Sequence, residues 1–303
     1  MEKLKRGDRV ALAAPARKVT PAEVDGALRL LQSWGLQVVV PEGLYAADNQ
    51  MAGSDSHRAA LMQSLLDDAE LKAILCVRGG YGTVRIVDRL DFGRFAEHPK
   101  WIVGYSDITV LHSHIARHCA VPTMHAAMAI DLPADASQWD CPAVQSLHRA
   151  LFEGSGRYEF ANPLAGIANR AGRCRGVAVG GNLSILYSLL GSASDVDTDG
   201  KILVIEDLDE YLYHIDRMMM ALKRAGKLSH LKGLVVGAMT SMHDNAVPFG
   251  RSAERIVADA VAEYGYPVAF GCPLGHIGTA NCALPLGVEM ELDVGGAKAT
   301  LGF

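Results

Sequence analysis

Short apolar runs alternate with amphipathic stretches over the first 130 residues of the chain. Thr20 and Glu23 have the spacing of a capping box, apolar residues follow at helical intervals, and Gly35 ends the stretch. The runs that predict buried strands are 10–14, 36–40, 73–77 and 101–105. The stretches that predict helices are 20–35, 58–69 and 108–118. This alternation predicts a parallel sheet flanked by helices.

The periodicity weakens between residues 132 and 169, where several prolines occur. We therefore predict an α/β protein with a Rossmann-like N-terminal domain at 1–131, an interdomain connection at 132–169 and a C-terminal α/β domain at 170–303. The second half resumes the alternation, with strands at 201–205, 233–238 and 266–270 and helices at 214–225 and 252–264. Residues 289–303 alternate apolar and polar positions around two adjacent glycines, which predicts a hairpin.

Composition narrows the class of protein. Of the 303 residues, 50% are hydrophobic and 21% are charged, which is typical of a soluble enzyme. The net charge is -5 and basic residues are dispersed, so neither a nucleic acid nor an anionic membrane is expected as a partner. No apolar run approaches the ~20 residues of a membrane span, and charged residues interrupt the first apolar run where a signal peptide would be continuous. Six cysteines without a Cys-x-x-Cys pair favour reduced thiols, and together these features predict a cytoplasmic protein.

Gly104-Tyr105-Ser106-Asp107 lies where a predicted strand turns into a helix. Such a turn can lift a side-chain oxygen above the sheet, as in a nucleophile elbow. The free N–H groups at the start of the helix suit a developing oxyanion. The alternative is that Ser106 or Asp107 only caps the helix, because both residue types are preferred there and the sequence is not Gly-x-Ser-x-Gly.

A glycine-rich loop, Arg78-Gly79-Gly80-Tyr81-Gly82, follows the predicted strand 73–77. Adjacent glycines allow the backbone to approach a ligand and can present N–H groups to an anion. The loop matches neither the P-loop nor the dinucleotide-binding fingerprint, and we predict no cofactor. Two interpretations remain open, a second oxyanion donor at Gly79 or Gly80 and an ordinary tight turn.

Acidic residues dominate Glu206-Asp207-Leu208-Asp209-Glu210, which follows the predicted strand 201–205. Carboxylate clusters can bind divalent cations, but this spacing is not that of an EF-hand. We expect a solvated loop for most of the run. Glu206 differs because it is the first residue past the predicted strand, where it would face the crevice of the sheet.

The histidines fall into two groups. His114 and His118 have the i, i+4 spacing of a metal pair but lack the His-Glu-x-x-His signature, so we interpret them as ordinary histidines and predict no metal site. His276 lies in a Gly-His-Ile-Gly loop after the predicted strand 266–270. Functional side chains concentrate in such loops.

Ser106, Glu206 and His276 thus each follow a predicted strand. In open α/β sheets, ligands bind outside the carboxyl ends of the strands, so the three side chains are expected to face one crevice. A serine, a carboxylate and a histidine in one crevice are the parts of a nucleophile, orienter and base relay. The pattern predicts a serine hydrolase.

The chain resembles the LD-carboxypeptidase family of serine peptidases over most of its length, from about residue 10 to 290. The blocks that carry the resemblance are Arg78-Gly79-Gly80-Tyr81-Gly82, Gly104-Tyr105-Ser106-Asp107, Gly180-Gly181-Asn182-Leu183, Ile205-Glu206-Asp207, and the run from Gly275-His276 to Leu284-Pro285-Leu286-Gly287. Five blocks in one order make the resemblance specific. Ala14-Pro15-Ala16 lacks the serine that often follows this proline, and His125-Ala126-Ala127 lacks the Gly-Pro often found there, departures that bear on substrate contacts.

The resemblance implies a two-domain fold with the active site at the domain junction. By match of motif, Ser106 would be the nucleophile, His276 the general base and acid, and Glu206 the orienter. The implied oxyanion hole consists of the backbone N–H of Asp107 and one from the glycine-rich loop, which we assign to Gly80.

The implied reaction is hydrolysis of the LD-amide bond that releases C-terminal D-alanine from cytoplasmic muropeptide tetrapeptides, a step of peptidoglycan recycling. The free carboxylate of this peptide substrate needs a cationic partner, for which Arg78 and Arg85 are candidates, although either could be structural. Two alternatives stay open: an immunity-type peptidase that cleaves a peptidyl-nucleotide antibiotic or related acyl adduct, and a non-catalytic protein that binds a small ligand. The resemblance also suggests a homodimer.

Overall fold

A computed structural model describes residues 1–164 and 166–303 of the chain. The strands of the described residues are β1 (Arg9–Ala13), β2 (Gln37–Val39), β3 (Leu71–Cys76), β4 (Trp101–Gly104), β5 (Thr123–His125), β6 (Arg157–Ala161), β7 (Gly172–Asn182), β8 (Ile202–Leu208), β9 (Gly233–Thr240), β10 (Val268–Phe270), β11 (Leu284–Leu286), β12 (Glu289–Val294) and β13 (Lys298–Gly302). The α-helices are α1 (Pro21–Ser33), α2 (Asp55–Asp67), α3 (Gly93–Glu97), α4 (Thr109–His118), α5 (Pro142–Phe152), α6 (Leu183–Ser188), α7 (Leu212–Arg224) and α8 (Ala253–Ala260). The predicted α/β class is confirmed.

The first sheet has the strand order β2-β1-β3-β4-β5-β11. Its first five strands are parallel, and β11 pairs antiparallel with β5. The chain adds β2 on one side of β1 and β3 on the other, so the winding reverses between β1 and β3. Loops leave the carboxyl ends in opposite directions at such a switch point and open a ligand crevice there.

Helix α1 shows how the sequence pattern produces this sheet. The Thr20 backbone N–H donates to Glu23 Oε2 over 2.7 Å, which fixes the start of the helix as the capping box predicted. Val24, Ala27 and Leu31 recur at helical spacing and are buried in the core against the sheet. The helix thereby covers one face of the parallel strands.

The second sheet has the order β10-β9-β8-β7-β12-β13-β6. Strands β7, β8, β9 and β10 are parallel neighbours, whereas β12 pairs antiparallel with β7 and with β13. The predicted hairpin at 289–303 is therefore confirmed. The carboxyl ends of β7 and β8 carry the Gly180-Gly181-Asn182 and Glu206 blocks.

The two sheets share chain segments. Helix α5, inside the predicted connection 132–169, packs on the first core through Val144, Leu147 and Leu151, while β6 joins the second sheet through β13. Strand β11 returns from the C-terminal half to complete the first sheet. None of the helices in the described ranges combines the length and apolar character that a membrane crossing requires.

Candidate active site

Ser106 stands on a strained turn at the carboxyl end of β4. Its φ is +62°, in the left-handed region that a residue with a side chain rarely adopts. Gly104 makes this turn possible, because a Cβ there would lie 2.9 Å from Cγ1 of Ile108. Tyr105 occupies the cap position of the 3-10 turn Ser106–Ile108, and no side chain caps that turn. Ser106 therefore does not cap the helix, and its backbone has the strained strand-to-helix turn that a nucleophile elbow requires.

The glycine-rich loop lies directly against this elbow. A Cβ on Gly79 would lie 3.2 Å from Ser106 Oγ and 3.4 Å from the backbone nitrogen of Asp107. A side chain at position 79 would therefore crowd the serine hydroxyl. The absence of a side chain keeps that hydroxyl accessible.

Asp107 connects the elbow to the glycine-rich loop. Its buried carboxylate accepts a hydrogen bond of 2.9 Å from the backbone N–H of Thr83, so Asp107 does not cap the helix that follows it. Burial raises the pKa of this carboxyl. Within the described parts of the chain, the N–H groups of Asp107 and Gly80 have no hydrogen-bond acceptor of their own. Both are therefore free to donate to an anion.

Glu206 lies inside β8, so its expected place just past a strand is wrong. The pairing of β8 with β9 shifts register between Ile205 and Asp207, which marks a β-bulge at Glu206. A bulge re-aims the side chain it carries. The sequence could not show this, because a bulge is defined by the partner strand. The Glu206 side chain is fully buried.

His276 is bonded to Glu206. The distance from His276 Nδ1 to Glu206 Oε2 is 2.8 Å. Since a carboxylate only accepts, Nδ1 carries the proton and Nε2 is left as an acceptor. Gly275 permits the contact: its φ is +106°, and a Cβ there would lie 2.6 Å from the same Oε2. Gly275 N–H also donates to Asn281 Oδ1 over 2.9 Å, which fixes the loop.

Glu206 and His276 each stabilise the charged form of the other. Burial acts to raise the pKa of Glu206, but interactions with His125 and His276 outweigh it and lower the pKa to about 2. Burial likewise acts to lower the pKa of His276, but the hydrogen bond and the charge of Glu206 outweigh it, so the pKa is raised. Glu206 is thus poised to stabilise an imidazolium at position 276.

A second imidazole faces Glu206. His125, at the end of β5, is fully buried, and its Nε2 lies 3.9 Å from Glu206 Oε1. The Tyr105 ring lies against both imidazoles, with its centroid 5.7 Å from that of His125 and 4.7 Å from that of His276. In the sequence, His125 stands out only as part of a departure from the family that the chain resembles. The sequence held no signal that would have singled it out, because the three residues of β5 are too few to show a strand period.

The rest of the acidic run divides into buried and exposed residues. Asp207 is buried and accepts hydrogen bonds from Asn182 Nδ2 (2.9 Å) and from the backbone N–H of Ser184 (2.8 Å), so a solvated loop is wrong for this residue. Burial, together with the charge of Glu206, raises the pKa of Asp207 to about 7. Asp209 is exposed, as expected.

His114 and His118 connect α4 to residues 193–194. His114 Nδ1 lies 2.9 Å from Ser194 Oγ, and His118 Nε2 donates to the carbonyl of Ala193 over 2.7 Å. These bonds hold the N-terminal half against the C-terminal half. The two histidines therefore act as ordinary hydrogen-bonding residues.

Ser106 and His276 line one cleft of about 500 Å³, together with Asp107, Gly79 and Gly80. Glu206 lies buried behind the imidazole. Among the described residues, no hydrogen bond joins Ser106 to His276. Such bonds are often long in unliganded enzymes and tighten when substrate binds. A larger groove of about 710 Å³ contains none of these residues.

The two arginines predicted as partners of the substrate carboxylate differ in whether they line the cleft. Arg78 lines the cleft, but its Nη1 lies 3.2 Å from Glu23 Oε1. Arg85 is bonded to Asp55, with 2.6 Å between Nη2 and Oδ2, and does not line the cleft. Arg17, which belongs to none of the sequence motifs, also lines the cleft.

Family comparison agrees with the motifs. Residues 10–126 match the LD-carboxypeptidase N-terminal domain, and residues 175–292 match the LD-carboxypeptidase C-terminal domain. The chain therefore belongs to the LD-carboxypeptidase family of serine peptidases, which are hydrolases, and the resemblance identified from the sequence is confirmed.

Two relatives span nearly the whole chain. The probable murein peptide carboxypeptidase of Bacillus subtilis is 36% identical over 98% of this chain and 92% of its own length. The murein tetrapeptide carboxypeptidase of Pseudomonas aeruginosa is 30% identical over 94% of this chain and 93% of its own length.

Two solved structures share the fold. Muramoyltetrapeptide carboxypeptidase from Oxalobacter formigenes superposes with a TM-score of 0.85 at 24% identity, covering 97% of this chain and 98% of that one. The microcin C7 self immunity protein MccF superposes with a TM-score of 0.85 at 21% identity, covering 99% and 97%. At these identities the likeness concerns the fold.

Proposed function

We propose that this protein is an LD-carboxypeptidase that releases C-terminal D-alanine from muropeptide tetrapeptides in the cytoplasm, as a step of peptidoglycan recycling. The observation that carries the proposal is a serine on a strained elbow that shares a cleft with the His276 imidazole, whose Nδ1 is bonded to the buried Glu206. The triad is Ser106, His276 and Glu206. The names of the relatives support the class of substrate.

The first half-reaction forms an acyl-enzyme. His276 Nε2 accepts the hydroxyl proton of Ser106 as Oγ attacks the carbonyl carbon that precedes D-alanine. The charge of Glu206 stabilises the imidazolium that results. His276 then donates its proton to the departing amine of D-alanine, and the C–N bond breaks. Water then attacks the ester carbonyl carbon while His276 Nε2 takes its proton, and this proton passes to Ser106 Oγ as the C–O bond of the ester breaks.

The carbonyl oxygen becomes negatively charged in each tetrahedral intermediate. The unpaired N–H groups of Asp107 and Gly80 are assigned to it as the oxyanion hole. The hydrogen bond from the backbone N–H of Thr83 to the Asp107 carboxylate, 2.9 Å long, holds the elbow and the loop in register. Preorganised donors of this kind stabilise the developing charge without reorganisation.

The test is product analysis on murein tri-, tetra- and pentapeptides with the wild type and Ser106→Ala. We expect the wild type to release D-alanine from the tetrapeptide and the variant to lose this activity by several orders of magnitude. An aminoacyl-adenylate analogue in the same panel examines the immunity-type activity. Release of D-alanine at the normal rate by Ser106→Ala, or preference of the wild type for the adenylate, would contradict the proposal.

A homodimer belongs to the same proposal, as do the domain limits 1–131 and 170–303. Light scattering coupled to size exclusion measures the mass in solution, for which we expect twice the 32.4 kDa of one chain. Limited proteolysis examines the limits, with cleavage expected between residues 132 and 169.

A further inference from the structure

We propose that Arg17 binds the C-terminal carboxylate of the substrate and thereby selects peptides that end at the residue to be released. This inference rests on the proposed function and extends it to the recognition of the leaving group. It concerns a residue that the motifs of the sequence do not mark.

Arg17 lies beside the switch point of the first sheet. Strand β1 ends at Ala13 and β3 ends at Cys76, and the winding of the first sheet reverses between these two strands. Arg17 follows β1, and Gly80 follows β3. They lie on the two sides of the switch point, where open α/β sheets bind their ligands.

Arg17 lies directly on the glycine-rich loop. A Cβ on Gly80 would lie 2.6 Å from both Cδ and Nε of Arg17, and Gly80 has a φ of +101°. The preceding glycine lies close to the proposed nucleophile, because a Cβ on Gly79 would lie 3.2 Å from Ser106 Oγ. Two consecutive residues therefore contact the guanidinium stem and the serine hydroxyl.

This proximity fits the chemistry of a carboxypeptidase. The scissile carbonyl carbon and the terminal carboxyl carbon are separated by one nitrogen and one Cα, a span of roughly 3–4 Å. A cation that binds the terminal carboxylate must therefore lie within one residue of the nucleophile. The guanidinium fork suits a carboxylate because it can donate two parallel hydrogen bonds.

Arg17 is also uncommitted. Within the described ranges, no carboxylate oxygen lies within 4.0 Å of its guanidinium nitrogens, whereas Arg78 is paired with Glu23. Arg17 Nε is buried and has no acceptor among the described residues. Leaving a buried donor unpaired is costly, so a ligand that supplies an acceptor gains that free energy on binding.

The backbone holds Arg17 in this place before substrate arrives. Residue 17 forms an isolated antiparallel bridge with Met51. The backbone N–H of Lys18 donates to the carbonyl of Gln50 over 3.1 Å, and that of Ala52 donates to the carbonyl of Ala16 over 3.1 Å. Preorganisation of this kind lowers the entropic cost of binding.

The charged residues that line the cleft favour one place for the terminal carboxylate. Arg17 and Arg78 both line its N-terminal side, and Arg78 is paired with Glu23. Asp131 also lines that side, and Asp209 and Glu210 line the part that the C-terminal half contributes, so these carboxylates would repel a second one. The guanidinium of Arg17 is therefore the place where the terminal carboxylate is stabilised.

The test pairs a variant with a change in the substrate. Wild type and Arg17→Gln are assayed on the tetrapeptide with a free C-terminus and on its C-terminal amide, and release of D-alanine or D-alaninamide gives kcat/KM. Lys18→Gln is the matched control, because it removes an adjacent, exposed cation that does not line the cleft. Arg17→Lys keeps the charge without the fork, and thermal melting shows that each variant is folded.

We expect Arg17→Gln to lose about 10- to 100-fold in kcat/KM on the free acid and little on the amide. Arg17→Lys should fall between, and Lys18→Gln should match the wild type. An equal loss on acid and amide would overturn the inference, since it would place Arg17 on the oxyanion instead. An unchanged rate on the acid would overturn it too. Failure of the wild type to release D-alanine at all would refute the proposed function rather than the role of Arg17.

Discussion

Replacing Glu206 by glutamine removes one charge and keeps the shape of the side chain. In the wild type, the fully buried carboxylate accepts from His276 Nδ1 over 2.8 Å. A glutamine can instead turn its amide N–H toward Nδ1, which forces the proton onto Nε2. In that tautomer His276 cannot accept the proton of Ser106.

The size of the effect follows from the same geometry. At an effective dielectric constant of about 20, two unit charges about 4 Å apart interact by about 4 kcal/mol, which converts to roughly a thousandfold in rate. Loss of the correct tautomer in serine peptidases costs about 10⁴ in kcat. We therefore expect Glu206→Gln to lower kcat by about 10³–10⁴.

The dependence on pH gives a second readout. The general base must be neutral, so kcat/KM rises with pH through the pKa of His276 in the free enzyme. Burial acts to lower the pKa of this imidazole, and Glu206 is the main group that raises it. Without the Glu206 charge, the residual activity should therefore rise at lower pH than in the wild type.

The assay is chromatographic detection of D-alanine from the tetrapeptide between pH 5 and 9. Glu263→Gln is the control, because it removes an exposed carboxylate that is bonded to Lys223 over 2.7 Å. It should leave both rate and profile unchanged. A Glu206→Gln protein with wild-type kcat and an unshifted profile would refute the role of Glu206 as orienter.

Three further outcomes are expected from substitutions around the cleft. Gly79→Ala should lower kcat by about 10- to 100-fold, because the added methyl group would displace Ser106. Gly265→Ala is the control and should leave kcat unchanged, since a Cβ there has no atom within 4 Å. Equal rates for the two variants would contradict this expectation. Thr109→Val removes the Oγ1 that accepts a hydrogen bond of 3.0 Å from the buried backbone N–H of Asn182. The free energy of unfolding in urea should therefore fall by about 1–3 kcal/mol. An unchanged unfolding midpoint would contradict a stabilising role for this hydrogen bond. The folded state raises the pKa of His276, so the stability this residue contributes when protonated is fully present below its unfolded value of about 6.5 and is lost as pH rises through the folded pKa. His276→Gln should accordingly lower Tm more at pH 6 than at pH 9, and an equal loss would contradict the shift.

The pattern of apolar and polar residues predicts a strand or a turn correctly where neighbouring residues alone determine it. The apolar runs at 73–77 and 101–105 correspond to β3 and β4, and the hairpin at 289–303 corresponds to β12 and β13. The elbow at Ser106 was also visible, because a strand that ends on a glycine before a helix-capping residue is a local feature.

Features that depend on how the strands pair could not be predicted from the sequence. Strand β7 runs over Gly172–Asn182, but its glycines obscure the apolar pattern. Gly180 is required there for packing, since a Cβ would lie 2.0 Å from the carbonyl oxygen of Val204. The bulge that aims Glu206 depends on the register with β9. Arg17 and Gly80 meet only because the sheet order places β1 beside β3.

Covalent trapping tests the proposed nucleophile most directly. A phosphonate analogue of the muropeptide tetrapeptide, incubated with the wild type, should leave one adduct that peptide mass spectrometry maps to Ser106, and Glu206→Gln should form it more slowly. Ser184 lines the same cleft and serves as the internal comparison. An adduct on Ser184, or no adduct on an enzyme that releases D-alanine from the tetrapeptide, would contradict the mechanism.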